Sequence, residues 1–149
     1  MNGIIIPTYN EIENIGKLIK LIEQELKHVK HTIYIVDDNS PDGTAAFCKS
    51  MKYKPLKVIV RKGARGYGGA VLTGIKQAIK DGCTKIITMD ADLSHNPQYL
   101  LPLINSEGPI TIGSRYVQGG GVINWGIYRK VVSKCANFFA GKILKLNTL

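Results

Sequence analysis

Short β-branched runs alternating with amphipathic segments of helical period decide what this chain can fold into. Residues 4–6, 32–36, 57–60 and 85–89 each read as a buried strand. After the first, Ile12, Ile15, Leu18, Ile19, Ile22 and Leu26 recur at helical spacing. A third helix is expected over residues 70–80, Asn96-Pro97 opens another, and residues 109–112 supply a fifth strand. Strand and helix alternating in this way imply right-handed crossovers. The expected fold is therefore α/β and Rossmann-like, with a mainly parallel sheet covered by helices on both faces. A chain of 149 residues can bury one real core but not two, so residues 1–149 are expected to form a single domain.

Two helix starts carry local signals. Asn10 is placed to cap the first helix with Glu13 at the third position, a capping-box arrangement. Ser40 reads as the cap of the second, with Pro41 in the first helical position, where a missing amide hydrogen costs nothing.

Apolar residues make up 44% of the chain and charged ones 21%, which excludes a disordered polypeptide. No apolar run is long enough to span a bilayer, and because the first strand begins almost at once no signal peptide is expected. Cys48, Cys83 and Cys135 are odd in number and unrelated in spacing, so they are expected to be small packing residues. The formal net charge is +9, and the excess is concentrated: beyond Glu107 there is no carboxylate side chain, but there are Arg115, Arg129, Lys130, Lys134, Lys142 and Lys145. A one-sign field of this kind attracts phosphates. Nucleic acid is not expected, because the tract lacks a stacking ladder or a helix-turn-helix signature.

The chemistry is concentrated where strands end. Asp90 and Asp92 follow an apolar strand, one residue apart. Alternation turns such residues to the same side, where two carboxylates can share one hard divalent cation and leave its other positions to water and phosphate oxygens. The alternative is that one aspartate caps the next helix and the other is solvated. Asp37 and Asp38 end the second strand, where carboxylates need donors. A nucleobase would offer them; otherwise Asp37 takes amides of the next turn and Asp38 is solvated. The run from Gly63 to Ala70 is glycine-rich before a helix but follows the wrong strand for a dinucleotide fingerprint. It reads either as a phosphate-proximal loop or as a plain loop with close helix packing. Arg115 either clamps a phosphate in bidentate fashion or pairs with an aspartate. Residues 128–146 suggest a helix with lysines on one side and Val131, Cys135, Phe138, Phe139 and Ile143 on another, suited either to a membrane interface or to docking on the sheet. His95 is expected to serve the turn rather than the chemistry.

Taken together, Pro7-Thr8-Tyr9-Asn10-Glu11, the run from Val36 to Thr44, Met89-Asp90-Ala91-Asp92-Leu93-Ser94-His95, and Gly113-Ser114-Arg115-Tyr116 with Gly119-Gly120-Gly121 and Trp125 resemble one family. It is the dolichyl-phosphate mannosyltransferases, the polyprenyl-phosphate branch of the inverting GT-A glycosyltransferases of family two. The resemblance implies GDP-mannose as donor, dolichyl or another polyprenyl phosphate as acceptor, and Mg²⁺ or Mn²⁺ as cofactor. By position it implies that Pro7, Tyr9, Glu11, Val36, Asp38, Met89, Asp90, Ala91, Asp92, Arg115 and Arg129 contact the nucleotide sugar. Asp90, Asp92 and Ser94 would hold the metal, and Asp92 and Arg115 would stand nearest the chemistry. The expected location is the cytosolic side of a membrane, at the endoplasmic reticulum if the source is eukaryotic, with a membrane-anchoring subunit as a compatible partner. The family also carries an acceptor-side segment with a Thr-Ser-Gly-Phe-Arg-like motif, so residues 1–149 are expected to be a catalytic domain truncated at its C-terminus. Two other functions fit the same residues: a family-two transferase for another nucleotide sugar such as UDP-glucose, and a catalytically silent nucleotide-sugar-binding module that needs a partner.

Overall fold

The computed structural model describes residues 1–114, 121 and 126–144. The chain divides into two compact units, Met1–Thr111 and Ile112–Leu149. In the first, strands β1 (Asn2–Thr8), β2 (His31–Asp37), β3 (Leu56–Val60) and β4 (Lys85–Thr88) form a parallel sheet in the order β3-β2-β1-β4. Helices α1 (Ile12–Glu25), α2 (Thr44–Ser50) and α3 (Tyr67–Lys80) connect them, and a 3₁₀ turn (Pro97–Tyr99) leads into α4 (Leu100–Asn105).

Period-two alternation sorts the apolar residues onto the two faces of the sheet. Ile4, Ile6, Ile33 and Ile35 pack with Ile15, Leu18, Ile19 and Ile22 of α1, Cys48 of α2, and Leu100 and Ile104 of α4. Ile5, Tyr34 and Val36 point the other way, to Ala70 and Ala78 of α3. Because β1 and β2 are sandwiched, they read as continuous apolar runs, and each fully buried isoleucine contributes about 2 kcal/mol of hydrophobic stabilisation. The expected parallel sheet with helices on both faces is what forms. Gly74 lets α3 come close: a Cβ there would stand 2.5 Å from Ile5 Cγ2 and 3.1 Å from Val36 Cγ2.

The helix starts differ from expectation. Asn10 has φ 59°, a left-handed conformation unlike the extended backbone of an N-cap, and Glu11 takes the cap position without a side-chain cap bond. The donors are satisfied from another loop: the Ile12 amide bonds Asp42 Oδ2 at 3.1 Å and the Glu11 amide bonds Thr44 Oγ1 at 3.0 Å. Nor does Ser40 cap α2, which begins at Thr44 after Gly43 at φ 89°. Ser40 is drawn instead to Asp37, while Asp42 Oδ1 accepts from both the amide and the hydroxyl of Thr44.

The fifth strand expected over residues 109–112 does not form; Ile110 and Ile112 are 81% and 80% exposed. A four-residue apolar run is a strand only where a ladder and a buried face await it, and its periodicity carries neither. Of the cysteines, Cys48 is buried and Cys83 half-buried, but Cys135 is exposed and is not a packing residue.

In the second unit α5 (Ile127–Leu144) confirms the expected helix. Its apolar and basic residues are less cleanly separated than expected, because Lys142 Nζ lies 4.8 Å from the centre of the exposed Phe138 ring. Arg115, Tyr116, Gly119, Gly120, Trp125 and Lys145 lie outside the described residues.

Candidate active site

The chain runs from β1 outward through β2 to β3, then returns to place β4 on the opposite side of β1. Ligands of open α/β sheets collect at such a reversal, outside the carboxyl ends of the strands. A cleft of about 300 Å³ lies there, lined by Pro7 and Thr8 at the end of β1, Tyr9 and Glu11 after it, Asp38 after β2, Tyr67 and Ala70 of α3, and Asp90, Ala91 and Asp92 after β4.

Asp37 builds the frame rather than the site. It is fully buried, and its carboxylate accepts from Thr8 Oγ1 at 2.9 Å, Ser40 Oγ at 2.6 Å and the Ser40 amide at 2.8 Å. These bonds satisfy a charge that burial would otherwise penalise, and they lock the β1 and β2 ends together. Asp38 is not solvated either. Its Oδ2 accepts the Gly66 amide at 2.7 Å and its Oδ1 pairs with Arg61, whose guanidinium also reaches the carbonyls of Ala64 and Gly66 at 3.2 Å. The glycine-rich loop is thus folded around Arg61 and tied to the cleft.

Asp90 and Asp92 are differently provided. Asp90 Oδ1 is buried on the cleft wall with no hydrogen-bond partner among the described residues. A buried carboxylate oxygen without a donor is costly unless something positive meets it, and a divalent cation with oxygen ligands fits that vacancy in bonding. The Ser94 amide, donating to Asp92 Oδ1 at 2.9 Å, and then the Ser94 side chain hold the Asp92 carboxyl below the ordinary range, so Asp92 is anionic and ready to ligate. Between them Leu93 has φ 63°, a conformation that costs a branched side chain roughly 1 kcal/mol and that tightens the turn presenting both carboxylates. Tyr67 faces this wall: burial first, and then the Asp90 carboxylate, push its phenol above the ordinary value.

The family described as "Glycosyl transferase family 2" matches residues 3–148. The chain belongs to this family. A dolichol-phosphate mannosyltransferase of Pyrococcus furiosus is 44% identical over 90% of the chain and 38% of its own length. A polyprenol monophosphomannose synthase of Mycolicibacterium smegmatis is 37% identical over 95% of the chain and 55% of its own length. An undecaprenyl-phosphate mannosyltransferase of Micrococcus luteus is 34% identical over 96% and 60%. The chain thus spans between about two fifths and three fifths of these relatives. Among solved structures, a mannosyltransferase of Pyrobaculum calidifontis in complex with GDP-Man and Mn2+ superposes with a TM-score of 0.56 at 23% identity, covering 68% of this chain and 30% of that one. It shares the glycosyltransferase fold.

Within this family-two domain the structure brings most of the expected residues together. Pro7, Tyr9, Glu11, Asp38, Asp90, Ala91 and Asp92 line one cleft, and Ser94 adjoins it through Asp92. Val36 and Met89 do not line it; both side chains are buried in the two opposite cores, because strand alternation turns them into the sheet's packing layers. Arg129 is an exposed residue of α5, and Arg115 lies outside the described residues. Sequence reasoning missed Thr8, Arg61, Arg65, Tyr67 and Ala70. Arg65 bonds the Tyr9 phenol and lies with its guanidinium 4.5 Å from the centre of that ring. Thr8 stood inside the Pro7-to-Glu11 motif, and Arg65, Tyr67 and Ala70 inside the glycine-rich run after the third strand, but none was singled out, and for Arg61 there was no signal.

Proposed function

We propose that the chain forms the donor-binding part of a polyprenyl-phosphate mannosyltransferase, with residues 1–149 belonging to its catalytic domain. It takes mannose from GDP-mannose and passes it, with inversion, to dolichyl or another polyprenyl phosphate. The observation that carries this reading is the buried Asp90 Oδ1, which has no hydrogen-bond partner among the described residues, beside the anionic Asp92 at the topological switch of the sheet. The names of the relatives support the sugar and the lipid class.

Pro7, Tyr9, Glu11, Asp38 and Ala91 surround the nucleotide sugar in this scheme, and Asp90 and Asp92, with Ser94 beside them, hold Mg²⁺ or Mn²⁺. Bound there, the cation would act as a Lewis acid for charge developing on the departing GDP. The Ser94 amide orients the Asp92 carboxylate, and the Asp37 network fixes the strand ends that carry the site. The acceptor phosphate is already an anion, so attack at the anomeric carbon requires alignment and positive charge rather than a strong base. Arg115 and Arg129 supply that charge. The basic α5 faces the anionic surface of a membrane on its cytosolic side, the endoplasmic reticulum if the source is eukaryotic, and a membrane-anchoring subunit is compatible with it. Among the described residues no helix is long and apolar enough to cross a membrane.

The test is titration of GDP-mannose and UDP-glucose with Mn²⁺ present, followed by a mannosyl-transfer assay on a polyprenyl phosphate with the same sample. Binding of GDP-mannose in preference to UDP-glucose, with transfer, is expected. Preference for UDP-glucose would overturn the donor assignment, and donor binding without transfer would favour a silent binding module.

A further inference from the structure

We propose that Arg65 is a diphosphate-binding residue of this cleft and that Tyr9 is its positioning residue. The inference rests on the nucleotide-sugar reading above and starts from the charge of the cleft. Its described lining carries Glu11, Asp38, Asp90 and Asp92 but neither lysine nor arginine. Arg61 compensates Asp38. Three carboxylates then remain against one divalent cation, and a nucleoside diphosphate adds further negative charge. Like charges at this density favour a cation on this wall of the cleft in addition to the Arg115 and Arg129 assigned above to the acceptor phosphate.

Arg65 is placed to be that cation. It is exposed, and among the described residues it has no carboxylate within ion-pair distance. Its guanidinium rests on the Tyr9 ring and bonds the Tyr9 phenol, so the cleft wall already holds it. The backbone on either side is fixed: Arg61 binds the Ala64 carbonyl, and the Gly66 amide is bonded to Asp38. A planar fork held from both sides suits phosphate oxygens better than a mobile ammonium does. A guanidinium carries five N–H donors, so Arg65 can meet phosphate oxygens while keeping its bond to the Tyr9 phenol, which holds it in place.

The test compares Arg65→Ala, Arg65→Lys and Tyr9→Phe with the unaltered chain. Each is titrated with GDP and with guanosine in the presence of Mn²⁺, guanosine being measured by competition with a fluorescent GDP analogue. Arg65→Ala is expected to weaken GDP about tenfold and guanosine less than about twofold. Arg65→Lys should fall between, because it keeps charge and loses the fork. Tyr9→Phe should weaken GDP by about twofold to threefold, through the lost hydrogen bond alone. Equal losses for GDP and guanosine in Arg65→Ala would mean a structural role and overturn the proposal, as would no loss at all. If the unaltered chain binds GDP, the nucleotide-sugar reading stands whatever Arg65→Ala does; if it does not, both fall.

Discussion

The Asp90 amide donates to Nδ1 of His95 across 3.1 Å, so that ring nitrogen carries no proton and Nε2 is the protonated one. Nε2 lies 3.7 Å from Asp90 Oδ2, too far for a hydrogen bond but close enough for its N–H to favour the carboxylate's orientation. One imidazole therefore bonds the backbone of a metal candidate and stands beside its side chain. It serves the turn, as its place in the sequence suggests, and through the turn the site. His95→Ala should weaken Mn²⁺-dependent GDP binding about tenfold, the usual size of an outer-shell effect on metal affinity. The check is calorimetric titration of GDP at a fixed Mn²⁺ concentration too low to saturate the site. An unchanged affinity would reduce His95 to a surface turn residue.

Arg61 and Asp38 form the ion pair on which the glycine-rich loop is built, with side chains 21% and 7% exposed. Removing the guanidinium leaves a buried carboxylate with only the Gly66 amide. Arg61→Ala should cost about 3 kcal/mol in urea denaturation, and Arg61→Ala with Asp38→Asn should recover part of that loss because no charge is then stranded. Additive losses in the double mutant would count against the pairing.

Gly74 is the point at which α3 meets the sheet. Alanine is the better helix former by about 1 kcal/mol, yet its Cβ would collide with Ile5 and crowd Val36. The clash is with packed core side chains, so Gly74→Ala should destabilise the fold by about 1–3 kcal/mol. Chemical denaturation decides the sign; a more stable variant would show that α3 has room to shift.

Asp42 links the starts of α1 and α2. Burial raises its carboxyl, but the hydroxyl and amide of Thr44 and the amide of Ile12 outweigh it, and the net position is below the ordinary value. A folded-state value lower than the unfolded one gives stability that is full above pH about 4 and is lost as pH falls through the depressed value. Thermal melting between pH 6 and pH 2 (about the range in which carboxylates titrate) should show a steeper acid loss for the unaltered chain than for Asp42→Asn. Parallel curves would contradict the capping role.

These predictions separate what was legible in the sequence from what was not. The two packing faces could be read from alternation in Ile4-Ile5-Ile6 and Ile33-Tyr34-Ile35-Val36, and the paired carboxylates could be read because Asp90 and Asp92 close an apolar strand. Both are local patterns. The capping of α1 by Asp42 and Thr44, the bond from Arg65 to Tyr9, and the tie from Gly66 to Asp38 join residues 28 to 56 positions apart. No short window contains both partners, and local rules therefore assigned the caps to Asn10 and Ser40. The apolar run at 109–112 failed for the complementary reason: a strand requires a neighbour, which its own residues do not specify.

The most direct measurement is the electron paramagnetic resonance signal of free Mn²⁺ titrated into the chain with GDP, compared with Asp90→Ala and Asp92→Ala. The account predicts that the chain with GDP removes free Mn²⁺ from the spectrum, that each variant loses this capacity by at least about tenfold, and that the fold of each variant is retained by circular dichroism. Mn²⁺ uptake that is identical in all three proteins, or absent from all of them in the presence of GDP, would contradict the claim that these two aspartates hold a cation against a diphosphate.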